Sequence, residues 1–127
     1  MPELASFHHV KLPVSNLQAS REWFEQVLGL KVTIEFVEGG ELRGLALGDD
    51  TGTVLLALRL DPERAQALAG FDPLALRVPT RDGVQAWVRH FDSQNQQHGG
   101  VVTGHNGGAV LVGLHSPDGH EIRLYAD

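Results

Sequence analysis

With 127 residues, 42% of them hydrophobic and 20% charged, the chain has the make-up of a soluble globular protein, long enough for one compact core and too short for two large domains. It has no cysteine, which excludes disulfides and thiolate metal sites, and its net charge of -6 with ten scattered Lys and Arg argues against nucleic acid as a partner. No apolar run approaches the ~20 residues of a membrane helix and the start MPELAS has no signal-peptide pattern, so no membrane partner and a cytoplasmic location are expected.

The first patterned stretch is Phe7 to Leu30. Val10, Leu12 and Val14 alternate with His9, Lys11 and Pro13, which predicts a strand with one apolar face. Ser15-Asn16-Leu17-Gln18 fits a capping box, Leu17, Trp23, Phe24, Val27 and Leu28 form the apolar stripe of a helix, and Gly29 stands where a left-handed C-terminal cap belongs. Strands are predicted at Leu30 to Glu38, Leu42 to Leu47 and Val54 to Leu60, separated by turns at Gly39-Gly40 and Gly48 to Gly52. Asp61-Pro62-Glu63 then opens a short connecting helix that ends at Gly70.

The chain now repeats itself. Adding 64 to Phe7, Val10, Leu12, Val14 and Trp23 gives Phe71, Leu74, Leu76, Val78 and Trp87. A second strand is followed by a helix capped by Thr80 and carrying Val84, Trp87, Val88 and Phe91, with Gly83 weakening its first turn. Three further strands are predicted at Val101 to Thr103, Ala109 to Leu114 and Glu121 to Tyr125. The reading is α+β: one domain over residues 1–127, made of two βαβββ units (6–60 and 71–127) joined by a connector (61–70). The helices pack on the apolar faces of the strands, and a pocket is expected on the opposite face, on the side of His9. Half-size units of this kind are too small to be comfortably stable alone.

The segments HHVKLPVSNLQASREWF and SPDGHEIRLY, at the two ends of this doubled order, resemble the vicinal oxygen chelate superfamily of glyoxalases, bleomycin resistance proteins and extradiol dioxygenases. The resemblance implies curled mixed sheets around a cavity, with the helices on the outer face, and a homodimer. It also implies a divalent ion held by residues on the first and last strand of each unit. His9 stands at the first of these positions, but Pro73 takes the equivalent place in the second unit. Arg123 replaces the usual glutamate, and matching Gly52 to Gly119 puts Leu56 at the fourth position. One imidazole facing a guanidinium supplies too few donors, and the guanidinium repels a cation. The expectation is therefore no metal cofactor. The alternative is one divalent ion in a displaced site using His9 and Glu121, with His115 or His120 nearby.

Alternation makes His9, Lys11, Leu56, Arg77, Glu121, Arg123 and Tyr125 the expected lining of a small-molecule site. If Lys11, Arg77 and Arg123 converge, an anionic ligand is favoured; if Arg123 pairs with Glu121 or another acid, it only closes the cavity. His8 is expected to face the helices half-buried, and His90, His98 and His105 to be solvated. Two functions follow. One is a metal-independent binding protein. The other is an enzyme, either a metal-dependent lyase, isomerase or dioxygenase with a rearranged site, or a metal-free one using His9 as general base beside Arg123.

Overall fold

The computed structural model describes all 127 residues. Along the chain run β1 (Val10–Val14), α1 (Leu17–Leu28), β2 (Lys31–Glu38), β3 (Glu41–Gly48), β4 (Leu55–Leu60), α2 (Pro62–Leu68), β5 (Leu74–Arg77), α3 (Arg81–Ser93), β6 (Val101–Thr103), β7 (Ala109–His115) and β8 (Glu121–Ala126). Every predicted element is present. The class is α+β: two four-stranded mixed sheets and three helices, without a closed barrel. The chain divides into two compact units at Gln66/Ala67, inside α2, so the connector is shared between them.

In the first unit the strand order is β1-β4-β3-β2, with β1 parallel to β4 and the other pairs antiparallel. Leu12, Val14, Leu45, Leu47, Leu56 and Leu58 are buried on the face that α1 covers with Leu17, Phe24, Val27 and Leu28. Each such side chain contributes about 1.5–3 kcal/mol by leaving water. The cap of α1 is Asn16, whose side chain accepts the Ala19 N–H at 2.9 Å, one residue later than the capping box predicts; Gln18 bonds forward to Glu22. Gly29, at φ 68°, ends the helix as expected. The turn before β4 is built on Asp49, which accepts the Thr53 hydroxyl at 2.9 Å and the Val54 N–H at 2.9 Å.

The second unit repeats the plan as β5-β8-β7-β6. Leu74, Leu111, Leu114, Ile122 and Leu124 form the buried face, and α3 packs on β7 and β8 with Val84 and Phe91 fully buried. Thr80 caps α3 through the Gly83 N–H at 3.0 Å. Gly83 has a reason to be glycine that helix propensity does not reveal: a Cβ there would stand 2.7 Å from Val78 Cγ1. Close approach of the helix to the end of its own strand requires the missing side chain.

Candidate functional site

Strand register decides which residues share a face. In the second unit Leu74 pairs with Ile122 and Leu76 with Leu124 on the core side, so Ala75 opposite Arg123 and Arg77 opposite Tyr125 stand on the other side. In the first unit Val10 pairs with Leu56 and Lys11 with Ala57. Leu56 is therefore a core residue, 2% exposed, on the face of Leu12. This corrects the expected site membership of Leu56: the residue corresponding to Arg123 is Ala57. The slip arises because β4 begins three residues after Gly52 whereas β8 begins two after Gly119. The position is apolar either way.

On the open face of the second unit, β7 carries a bulge. Leu111 pairs with Leu124 and Leu114 with Ile122, so Val112 and Gly113 together oppose Arg123. Gly113 has φ 72°, and a Cβ on it would lie 2.6 Å from the Gly99 nitrogen. Its N–H is thereby turned to the Glu121 carboxylate, donating to Oε2 at 3.3 Å, and Arg123 Nε donates to the same oxygen at 2.6 Å. His115 Nε2 lies 4.0 Å from the other carboxylate oxygen. Arg123 Nη1 is 3.5 Å from Asp72 Oδ2. The Arg123 bond, assisted by the Gly113 N–H, holds the Glu121 carboxyl below its ordinary range against the opposing effect of burial. Arg123 and Tyr125 line a hollow of about 220 Å³ whose other walls include Val102, Val110, Val112 and His105.

The other expected site residues lie as follows. His9 and Lys11 are exposed at the start of the first unit; His9 precedes β1, and its Nδ1 is 2.9 Å from that of His8. His8 is exposed against His9, not half-buried under a helix. Arg77 is bonded to Asp127. With Arg77 and Arg123 both held by carboxylates, the condition for an anion-receiving cluster of free cations is not met. His98 is also placed otherwise than expected. Its side chain is 13% exposed, Nε2 is bonded to Asp92 at 2.8 Å, and Nδ1 accepts the Gly100 N–H at 3.0 Å, so it braces the loop before β6. His90 is half-buried against Trp87. His120 closes the turn after Gly119, 1% exposed, with both ring nitrogens lacking a protein partner.

At the positions where the resemblance expects ligands to a divalent ion, the first unit carries His9 and Ala57 and the second Pro73 and Arg123, and the carboxylate of Glu121 is engaged by a guanidinium and a backbone N–H. The bulge is the feature that pattern reading missed; the pairing of Arg123 with Glu121 and a second acid, Asp72, is an alternative the sequence leaves open. Gly113 inside an apolar strand was the available signal for the bulge.

The model of the Glyoxalase/Bleomycin resistance protein/Dioxygenase superfamily matches residues 6–124. The chain is 27% identical over 128 residues to the "Putative ring-cleaving dioxygenase MhqA" of Bacillus subtilis (strain 168), covering 94% of this chain but only 40% of that protein. Among solved structures it is similar to lactoylglutathione lyase from Agrobacterium tumefaciens, with a TM-score of 0.77, 14% identity, and 98% and 96% of the two chains covered. It is also similar to the fosfomycin resistance protein FosX from Listeria monocytogenes, with a TM-score of 0.72, 11% identity, and 98% and 95% covered. The structural likenesses establish the fold, and the match across almost the whole sequence establishes the lineage: the chain belongs to the glyoxalase, bleomycin resistance protein and dioxygenase superfamily.

Proposed function

We propose that this chain is a small-molecule-binding member of its superfamily that works without a metal ion. One observation carries this reading: Arg123 stands where a ligand carboxylate is expected and is bonded to Glu121 at 2.6 Å. A permanent cation at that place opposes a divalent ion, and the carboxylate two residues away is already neutralised. What remains is a hollow with Val102, Val110 and Val112 as apolar wall and Arg123 and Tyr125 as polar groups, the mixture usual in a ligand site. Its volume of about 220 Å³ suits a small compound. On the first unit, His9 and Lys11 are exposed and are proposed as ligand contacts of that unit. We take the protein as a homodimer; the exposed Ile34, Phe36 and Val37 are apolar surface that a second copy would cover.

The test is ligand-observed NMR with small aromatic probes in the presence of a chelator. Binding that survives chelation and is lost in Arg123→Leu supports the reading. Binding that needs added metal overturns it. A second reading, a metal-dependent lyase, isomerase or dioxygenase using His9 and Glu121, draws support from the 27% identity to a ring-cleaving dioxygenase. Oxygen uptake by iron(II)-loaded protein with a dihydroxybenzene, abolished by Glu121→Gln, would favour it.

A further inference from the structure

We infer that the hollow beside Arg123 discriminates by charge, admitting neutral or cationic small molecules and turning anions away. The inference rests on the binding reading above and reverses what a count of cations along the strands suggests. Arg123 is the guanidinium that lines the hollow, and two carboxylates already sit beside it: Glu121, hydrogen-bonded to Nε at 2.6 Å, and Asp72, 3.5 Å from Nη1.

Two carboxylates thus serve one guanidinium. Glu121 is fixed in place, with a side chain 15% exposed and the Gly113 N–H on the same oxygen that Arg123 grips. It cannot swing aside to yield its place without breaking both bonds. The second strong cation of this face, Arg77, is held by Asp127. An incoming carboxylate or phosphate would find the guanidinium's charge already balanced and would meet two like charges beside it, whereas a neutral body meets the valine wall, Thr103, His105, the Tyr125 ring and the remaining Arg123 N–H groups. Glu121 and Asp72 are therefore specificity-determining residues for the hollow, acting through Arg123.

The test uses the isotope-labelled full chain with three matched probes, benzyl alcohol, benzylamine and benzoate, followed by the amide shifts of Val102, Val110 and Val112. Like charges beside the guanidinium oppose a carboxylate, so the wild type should bind benzyl alcohol at least about tenfold more tightly than benzoate. In the Asp72→Asn, Glu121→Gln double variant benzoate should match or surpass benzyl alcohol. Equal wild-type affinity for benzoate and benzyl alcohol would overturn the inference while leaving the binding reading intact, and so would a double variant with unaltered discrimination. Should the double variant not fold, Asp72→Asn alone, at an exposed side chain, must narrow the ratio in the same direction; an unchanged ratio overturns the inference. If none of the three probes moves those amides, the binding reading fails, and the inference with it.

Discussion

Arg123 and Glu121, two residues apart on β8 and so on the same face, hold each other at 2.6 Å beside a bulge whose Gly113 N–H shares the carboxylate. The pair is half-sheltered, so its worth lies above that of a free surface ion pair and below that of a buried one. A double-mutant cycle of Arg123→Met and Glu121→Gln, read by urea unfolding, should give a coupling of about 1 kcal/mol. Strict additivity would mean that the contact is incidental.

The register places Leu56 in the core and Ala57 on the open face. Leu56→Ala should cost about 2–5 kcal/mol, the range for deleting a buried leucine. Ala57→Ser should change stability by about 0.5 kcal/mol or less. The opposite ranking in denaturant midpoints would restore Leu56 to the ligand face.

Gly83→Ala offers a sharper contrast with propensity. Alanine in a helix gains about 1 kcal/mol over glycine. Here its Cβ would press on Val78 Cγ1 at 2.7 Å, and overpacking costs about 1–3 kcal/mol. The substitution should therefore leave the melting temperature unchanged or lower it; a rise of several degrees would show that Val78 gives way freely.

Acid should weaken the protein in a definite direction. The folded-state pKa of Glu121 lies below its ordinary value of 4.5 because of Arg123, and that of Glu38 lies below the same value because of Arg59. The folded chain thus binds these protons less readily than the unfolded one. The stabilisation is fully present above 4.5 and is lost as pH falls below it through the folded-state values. Urea midpoints should fall across that window, and less steeply in Arg123→Met. A profile that the substitution leaves unaltered would remove Arg123 as the cause.

Much of the scaffold is legible in the amino-acid pattern, because the signals are local. Alternation along Val10, Leu12 and Val14, the stripe through Phe24 and Val27, and the stop at Gly29 each rest on a few neighbouring residues, and the 64-residue repeat doubles the strand and the stripe. The site is less legible because it depends on relations across strands. One extra residue between Gly52 and β4 is invisible to motif matching yet exchanges Leu56 for Ala57. The bulge at Val112 and Gly113 and the approach of Asp72 to Arg123 depend on how β7 and the lead-in to β5 lie beside β8. Charge counting leaves the pairing of Arg123 open, and its placement puts Glu121 and Asp72 beside it and Asp127 beside Arg77.

The central claim is that a guanidinium held by carboxylates has taken over the metal's place. Elemental analysis of protein purified without chelator, across zinc, nickel, manganese and iron, tests it most directly. The account predicts far less than one ion per chain and no thermal shift when these ions are added. A stoichiometric ion that disappears in His9→Ala or Glu121→Gln would contradict it.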